Sequence, residues 1–139
     1  MSFSANNTSQ KFWPSPVYPS HTSQKSSSFG DIQFVNQTVY WTQSVPSQKG
    51  RMALASLRNT EEVKEVLSEK FNVASYTYGY GGGAFYISEN KIFFYDLISQ
   101  TIYLKNLKDN HIQEVFSQKD CSFSNFVYSE KQQCLFALM

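Results

Sequence analysis

The stretch "SLRNTEEVKEVLSEK" returns further along the chain as "NLKDNHIQEVFSQK". Leu57 stands opposite Leu107, each followed by a polar turn, and residues 63–68 stand opposite 112–117. Upstream, "TVYWTQ" stands opposite "KIFFYD", with Val39 opposite Ile92. Near the end, "VYSEKQQCLFAL" echoes "YISENKIFFYDL", with Ser129 and Glu130 opposite Ser88 and Glu89. The unit is about 50 residues long and recurs nearly two and a half times, and a period in that range points to propeller blades or solenoid turns.

The repeat also decides an ambiguous segment. Read alone, residues 61–71 carry apolar positions Val63, Val66, Leu67 and Phe71 near helical spacing, with Asn59 and Glu62 placed as a capping box. The repeat overturns that reading: residues 63–68 stand opposite 112–117, and both segments are read as strands. Each unit then holds four short strands, near 31–35, 38–43, 51–57 and 62–68 in the first and 83–88, 91–96, 101–107 and 111–117 in the second. The third unit begins at Phe123 and reaches its second strand. Four antiparallel strands per repeat is the blade pattern. The expected fold is all-β, a partial β-propeller with WD40-like blades: blade one at 29–70, blade two at 79–118 and a partial blade three at 121–139. In "IFFY", Ile92 and Phe94 point to one face while Phe93 and Tyr95 point to the other, so both faces of that strand are expected to be covered. Residues 1–28 differ in kind. They are rich in Ser, Asn, Gln, Thr and Pro, with Pro14, Pro16 and Pro19 close together, and read as an extended or disordered arm in which Phe12 and Trp13 are docking candidates.

Of six glycines, four fall at Gly79, Gly81, Gly82 and Gly83, in "YGYGGGAF". A phosphate-binding P-loop would need Gly-Lys-Ser/Thr before a helix, which the stretch lacks. The spacing Gly79-x-Gly81-x-x-Ala84 nominally fits a dinucleotide fingerprint, but a strand follows where a helix must begin. No Gly-x-Ser-x-Gly elbow occurs. The loop therefore reads as architecture. It joins one blade to the next, with glycine supplying positive φ and close backbone approach where innermost strands converge. Tyr78, Tyr80, Gly81, Gly82 and Gly83 are the candidate channel or structural residues.

Twelve basic and eleven acidic side chains nearly cancel, which argues against a nucleic-acid partner and a polybasic membrane anchor. No apolar run approaches the ~20 residues of a membrane-spanning helix, and the N-terminus carries no secretory pattern. Cys121 and Cys134 make neither a disulfide framework nor a zinc site. A cytoplasmic protein without cofactor or metal is expected.

"FNVASYTYGYGGGAFYISENKIFFYDLISQTIYLKNL" resembles the N-terminal propeller of the prolyl oligopeptidase family, in particular its dipeptidyl-aminopeptidase and acylaminoacyl-peptidase-like members. The resemblance rests on Phe71-Asn72-Val73, on the run from Tyr80 to Phe85, and on "IFFYDLISQTIY". The first unit is similar too, through Tyr40-Trp41 and Gly50-Arg51. The family's usual His-Glu pair before the loop tyrosine is replaced here by Tyr78 and Gly79. The resemblance implies a propeller that gates peptide access to an α/β-hydrolase domain carrying a Ser-Asp-His triad. This chain has no such elbow, and its histidines, His21 in the arm and His111 in a turn, are poor substitutes. No catalytic residue is assigned, and the chain alone is expected to be inert. Its implied partners are peptides in the context of the whole enzyme, and further blades and a hydrolase domain elsewhere. The alternative is a small stand-alone module whose row of Tyr76, Tyr78 and Tyr80 binds peptide or carbohydrate.

Overall fold

The computed structural model describes residues 26–59, 61–77, 79 and 82–139. The proline-rich arm, with Phe12, Trp13 and His21, lies outside the described residues up to position 25. Strands β1 (Phe29–Val35), β2 (Thr38–Val45), β3 (Arg51–Arg58) and β4 (Lys64–Glu65) form the first sheet, antiparallel and in chain order. A second four-stranded antiparallel sheet follows, from β5 (Phe85–Ser88), β6 (Lys91–Asp96), β7 (Thr101–Asn106) and β8 (Ile112–Ser117). Strands β9 (Ser124–Ser129) and β10 (Cys134–Leu138) pair as a third. Among the described residues the helical content is one short 3-10 turn, Pro46–Gln48.

Local chemistry sets the hairpins. Val35 pairs with Thr38, so the turn is Asn36-Gln37, and both have positive φ, 50° and 62°. That is the backbone a two-residue hairpin needs to match strand twist.

The fourth strand of the first unit is shorter than its sequence suggests. The expected span 62–68 pairs only at Lys64–Glu65, whereas its counterpart Ile112–Ser117 is a full strand. Val66 N–H still donates to the Leu54 carbonyl at 2.8 Å. Leu67 then turns into the core, and Phe71 N–H closes a turn on the Ser68 carbonyl. Burying Leu67 and Phe71 outweighs the few ladder bonds a longer strand would add, since each such side chain contributes about 1.5–3 kcal/mol.

Strand β6 lies between two cores. Ile92 and Phe94 join Tyr40, Leu54, Phe71, Phe85 and Ile87 between the first and second sheets. Tyr95 joins Ile102, Phe123 and Phe126 between the second and third. Phe93 faces the third sheet as well, its ring 4.7 Å from that of Tyr128. The period of two in a pleated strand sends alternate residues of "IFFY" to opposite cores.

The segment Phe71-Asn72-Val73 stitches the first two sheets together. Asn72 Oδ1 accepts Met52 N–H at 2.9 Å, and Asn72 N–H donates to the buried Asp96 carboxylate at 2.7 Å. Val73 N–H donates to the Met52 carbonyl and Leu97 N–H to the Asn72 carbonyl. Asp96 also takes the Ser99 N–H and hydroxyl, so its buried charge is met by hydrogen-bond donors.

Candidate functional site

The first strands of the three sheets meet at one end of the stack, where β5 packs against both β1 and β9. β5 is an edge of its sheet, so its outward backbone groups need partners from elsewhere. Gln33 supplies them: its Nε2 donates to the Phe85 carbonyl and its Oε1 accepts Ile87 N–H, both at 3.0 Å. Just upstream, Gly83 N–H donates to Asp31 Oδ2, and the Gly83 carbonyl accepts Asn125 N–H at 2.8 Å. One side chain from the first sheet and one backbone group from the third therefore hold the end of the glycine loop.

Gly83 must be glycine for two reasons. Its φ is +66°, and a Cβ there would lie 2.6 Å from Asn125 N. Gly82 and Gly83 thus sit at the convergence of the sheets. Tyr78, Tyr80 and Gly81 lie outside the described residues, and of the tyrosine row only Tyr76 is described, as an exposed side chain.

Beside Gly82, a cleft of about 340 Å³ opens between the first and second sheets. Phe29, Met52, Val73 and Ala84 give it apolar walls, while Asp31, Thr42, Ser75 and Tyr76 bring polar atoms. Ser75 Oγ is occupied by Thr77 and Ser122, each at 3.0 Å. The described lining holds a carboxylate and hydroxyls but no imidazole or cysteine. His111 is remote from it, in the β7–β8 turn with its N–H on Asp109 Oδ1. No group of three His, Cys, Asp or Glu side chains among the described residues is placed to hold a metal.

Charged side chains elsewhere tie the sheets together. Arg51 is buried in the first sheet, where it meets Glu65 at 2.7 Å and donates to the Phe71 carbonyl at 3.0 Å. Between the second and third sheets, Lys91 donates to Tyr128 Oη at 3.0 Å and to Glu130 at 3.3 Å, and Ser88 Oγ donates to Glu130 at 2.7 Å. The bond to Tyr128 holds the Lys91 ammonium above its usual range. The Ser88 hydroxyl holds the Glu130 carboxyl below its own. Burial pushes the Tyr95 hydroxyl up and the Lys105 ammonium down.

No family model matches the sequence, and no curated protein matches it. Among solved structures, a Mycobacterium tuberculosis puromycin-hydrolyzing peptidase is similar, with a TM-score of 0.75 and 16% identity over 90% of this chain and 20% of that one. This is a partial propeller-like β fold. At that identity the likeness speaks for the fold, and the chain spans about a fifth of the length of the peptidase. Among the described residues no helix is long and apolar enough to cross a membrane.

Sequence reasoning missed Asp31, Gln33 and Thr42. A signal for the first was available. Gly30-Asp31 stands opposite Gly83-Ala84 in the repeat, so a carboxylate occupies a place where the second unit has a methyl group.

Proposed function

We propose that this chain is propeller from a serine peptidase of the prolyl oligopeptidase family, where the blade stack limits peptide access to a hydrolase active site carried outside these residues. The observation that carries the reading is a contrast between equivalent positions. Phe85 and Ile87 of the middle sheet are 2% and 4% exposed, while Ile32 and Phe34, opposite them in the first sheet, are both 70% exposed. On the far side, Phe93 is 3% exposed and its register equivalent Phe136, in the third sheet, 57%. The bare faces have the chemistry of blade interfaces, and further blades would cover them. The likeness to a peptidase chain and the match at Phe71-Asn72-Val73 and the glycine loop favour the family. Free Cys121 and Cys134 suit a cytoplasmic setting.

An antibody against residues 29–117, combined with a serine-reactive fluorophosphonate probe, tests this in the source cell. The expected result is a probe-labelled species several-fold larger than 16.0 kDa, or a labelled partner that copurifies in fixed ratio. The 139-residue chain alone stays unlabelled. A native species of 16.0 kDa with neither label nor partner would favour the stand-alone binding module, for which the cleft beside Gly82 is the natural seat.

A further inference from the structure

The cleft between the first and second sheets has a chemistry that the blade architecture does not use. Among the described lining residues Asp31 is the one carboxylate, and none is a lysine, arginine or histidine. None of the ion pairs among the described residues involves Asp31. Its Oδ2 takes Gly83 N–H, while Oδ1 has no hydrogen bond among those residues. Thr42 is the second observation. It is only 3% exposed, lines the cleft, and its hydroxyl has no hydrogen-bond partner among the described residues. Gly30 keeps the backbone close to it, since a Cβ there would lie 2.4 Å from Thr42 Oγ1. Phe29 and Tyr76 are exposed aromatics at the same cleft. They are suited to a cation over the ring face.

We propose that this cleft binds a primary ammonium carried on a short apolar body, either a free alkylamine or the side chain of a lysine. An ammonium has three donors and no acceptor. It fits a site of one carboxylate oxygen, one hydroxyl and an aromatic face, and an anion or a neutral alcohol would leave Asp31 uncompensated. The cleft volume is at the lower end of small-ligand pockets, which suits a chain of a few carbons. The assignment stands on the cleft alone and is independent of the peptidase reading.

The test is calorimetric titration of the full 139-residue chain with n-butylammonium, n-butanol and butyrate, and in a separate arm with Nα-acetyl-lysine amide. Saturable binding of n-butylammonium is expected, with n-butanol and butyrate weaker by at least about tenfold. Asp31→Asn keeps an acceptor for Gly83 N–H and is expected to weaken ammonium binding by about tenfold or more, and Thr42→Val by a smaller factor. Binding of the lysine amide as well assigns the site to lysine side chains, and its failure assigns it to free amines. Should Asp31→Asn not fold, the ligand series on the unaltered chain and Phe29→Ala, at an exposed position, decide. Equal binding of n-butanol, undiminished binding by a folded Asp31→Asn, or no saturable binding of either amine would overturn the proposal.

Discussion

The middle sheet and its two neighbours are built from one repeat, yet they live in different surroundings. Strand β6 sends Ile92 and Phe94 into one core and Phe93 and Tyr95 towards the other. In the first sheet, β2 turns Tyr40 and Thr42 inward, while β1 leaves Ile32 and Phe34 bare. In the third, Phe126 is buried and Val127 and Phe136 are not. The side chains are of one kind throughout, and what differs is whether a neighbouring sheet stands opposite. Apolar residues in a sheet thus report its position in the stack as well as its fold.

That comparison breaks most visibly under truncation. Ile87→Ala is expected to cost about 2–5 kcal/mol in denaturant unfolding, because the lost side chain leaves a cavity between two sheets. Phe34→Ala, at the position opposite it in the first sheet, is expected to change stability by no more than about 0.5 kcal/mol, as exposed substitutions do. Similar costs for the two would sink the distinction.

The convergence of the sheets gives the next effect. Gly83→Ala forces a left-handed residue against Asn125 and is expected to destabilise by more than about 1 kcal/mol, while Gly79→Ala meets nothing within 4 Å among the described residues and is expected to be far milder. Gln33→Leu leaves the Phe85 carbonyl and Ile87 N–H without their side-chain partner. Its expected cost is about 1–3 kcal/mol. Equal unfolding midpoints for Gly83→Ala and Gly79→Ala would show that the loop is not under this constraint.

The smallest effect is on pH. The folded state holds Glu130 below its ordinary 4.5 through the Ser88 hydroxyl, so its contribution is present above that value and fades as pH falls below it. Lys91 is held above 10.5 by Tyr128, so its contribution is present below 10.5 and is lost as pH rises past it. Glu130 is exposed, so its acid-side change is expected to be slight. Glu130→Gln should flatten the acid side of the stability profile and weaken the alkaline side only in part, since Tyr128 is the larger cause there. An unchanged acid limb would remove this contact from the account.

Much of the fold was legible because a repeat checks itself. Residues 61–71 read as a helix in isolation, and the match to Ile112–Ser117 corrected that. The shortening of β4 was not legible, since it depends on Leu67 and Phe71 finding a core made largely by residues far along the chain. At the candidate site, the need for glycine at position 83 followed from its type. Its partners did not, because Asp31 and Asn125 reach it from other sheets and no local pattern encodes such contacts. Arg51 was visible as half of a Gly-Arg step, but its buried bond to Glu65 was not.

The central claim is that the bare faces at Ile32 and Phe34 and at Val127 and Phe136 are blade interfaces. Hydroxyl-radical footprinting of the isolated chain and of the native assembly from the source cell tests it most directly. The account predicts that Phe34 and Phe136 are labelled in the isolated chain while Phe85 and Phe93 are protected, and that all four are protected in the native assembly. Labelling of Phe34 and Phe136 that persists in the native assembly would contradict it.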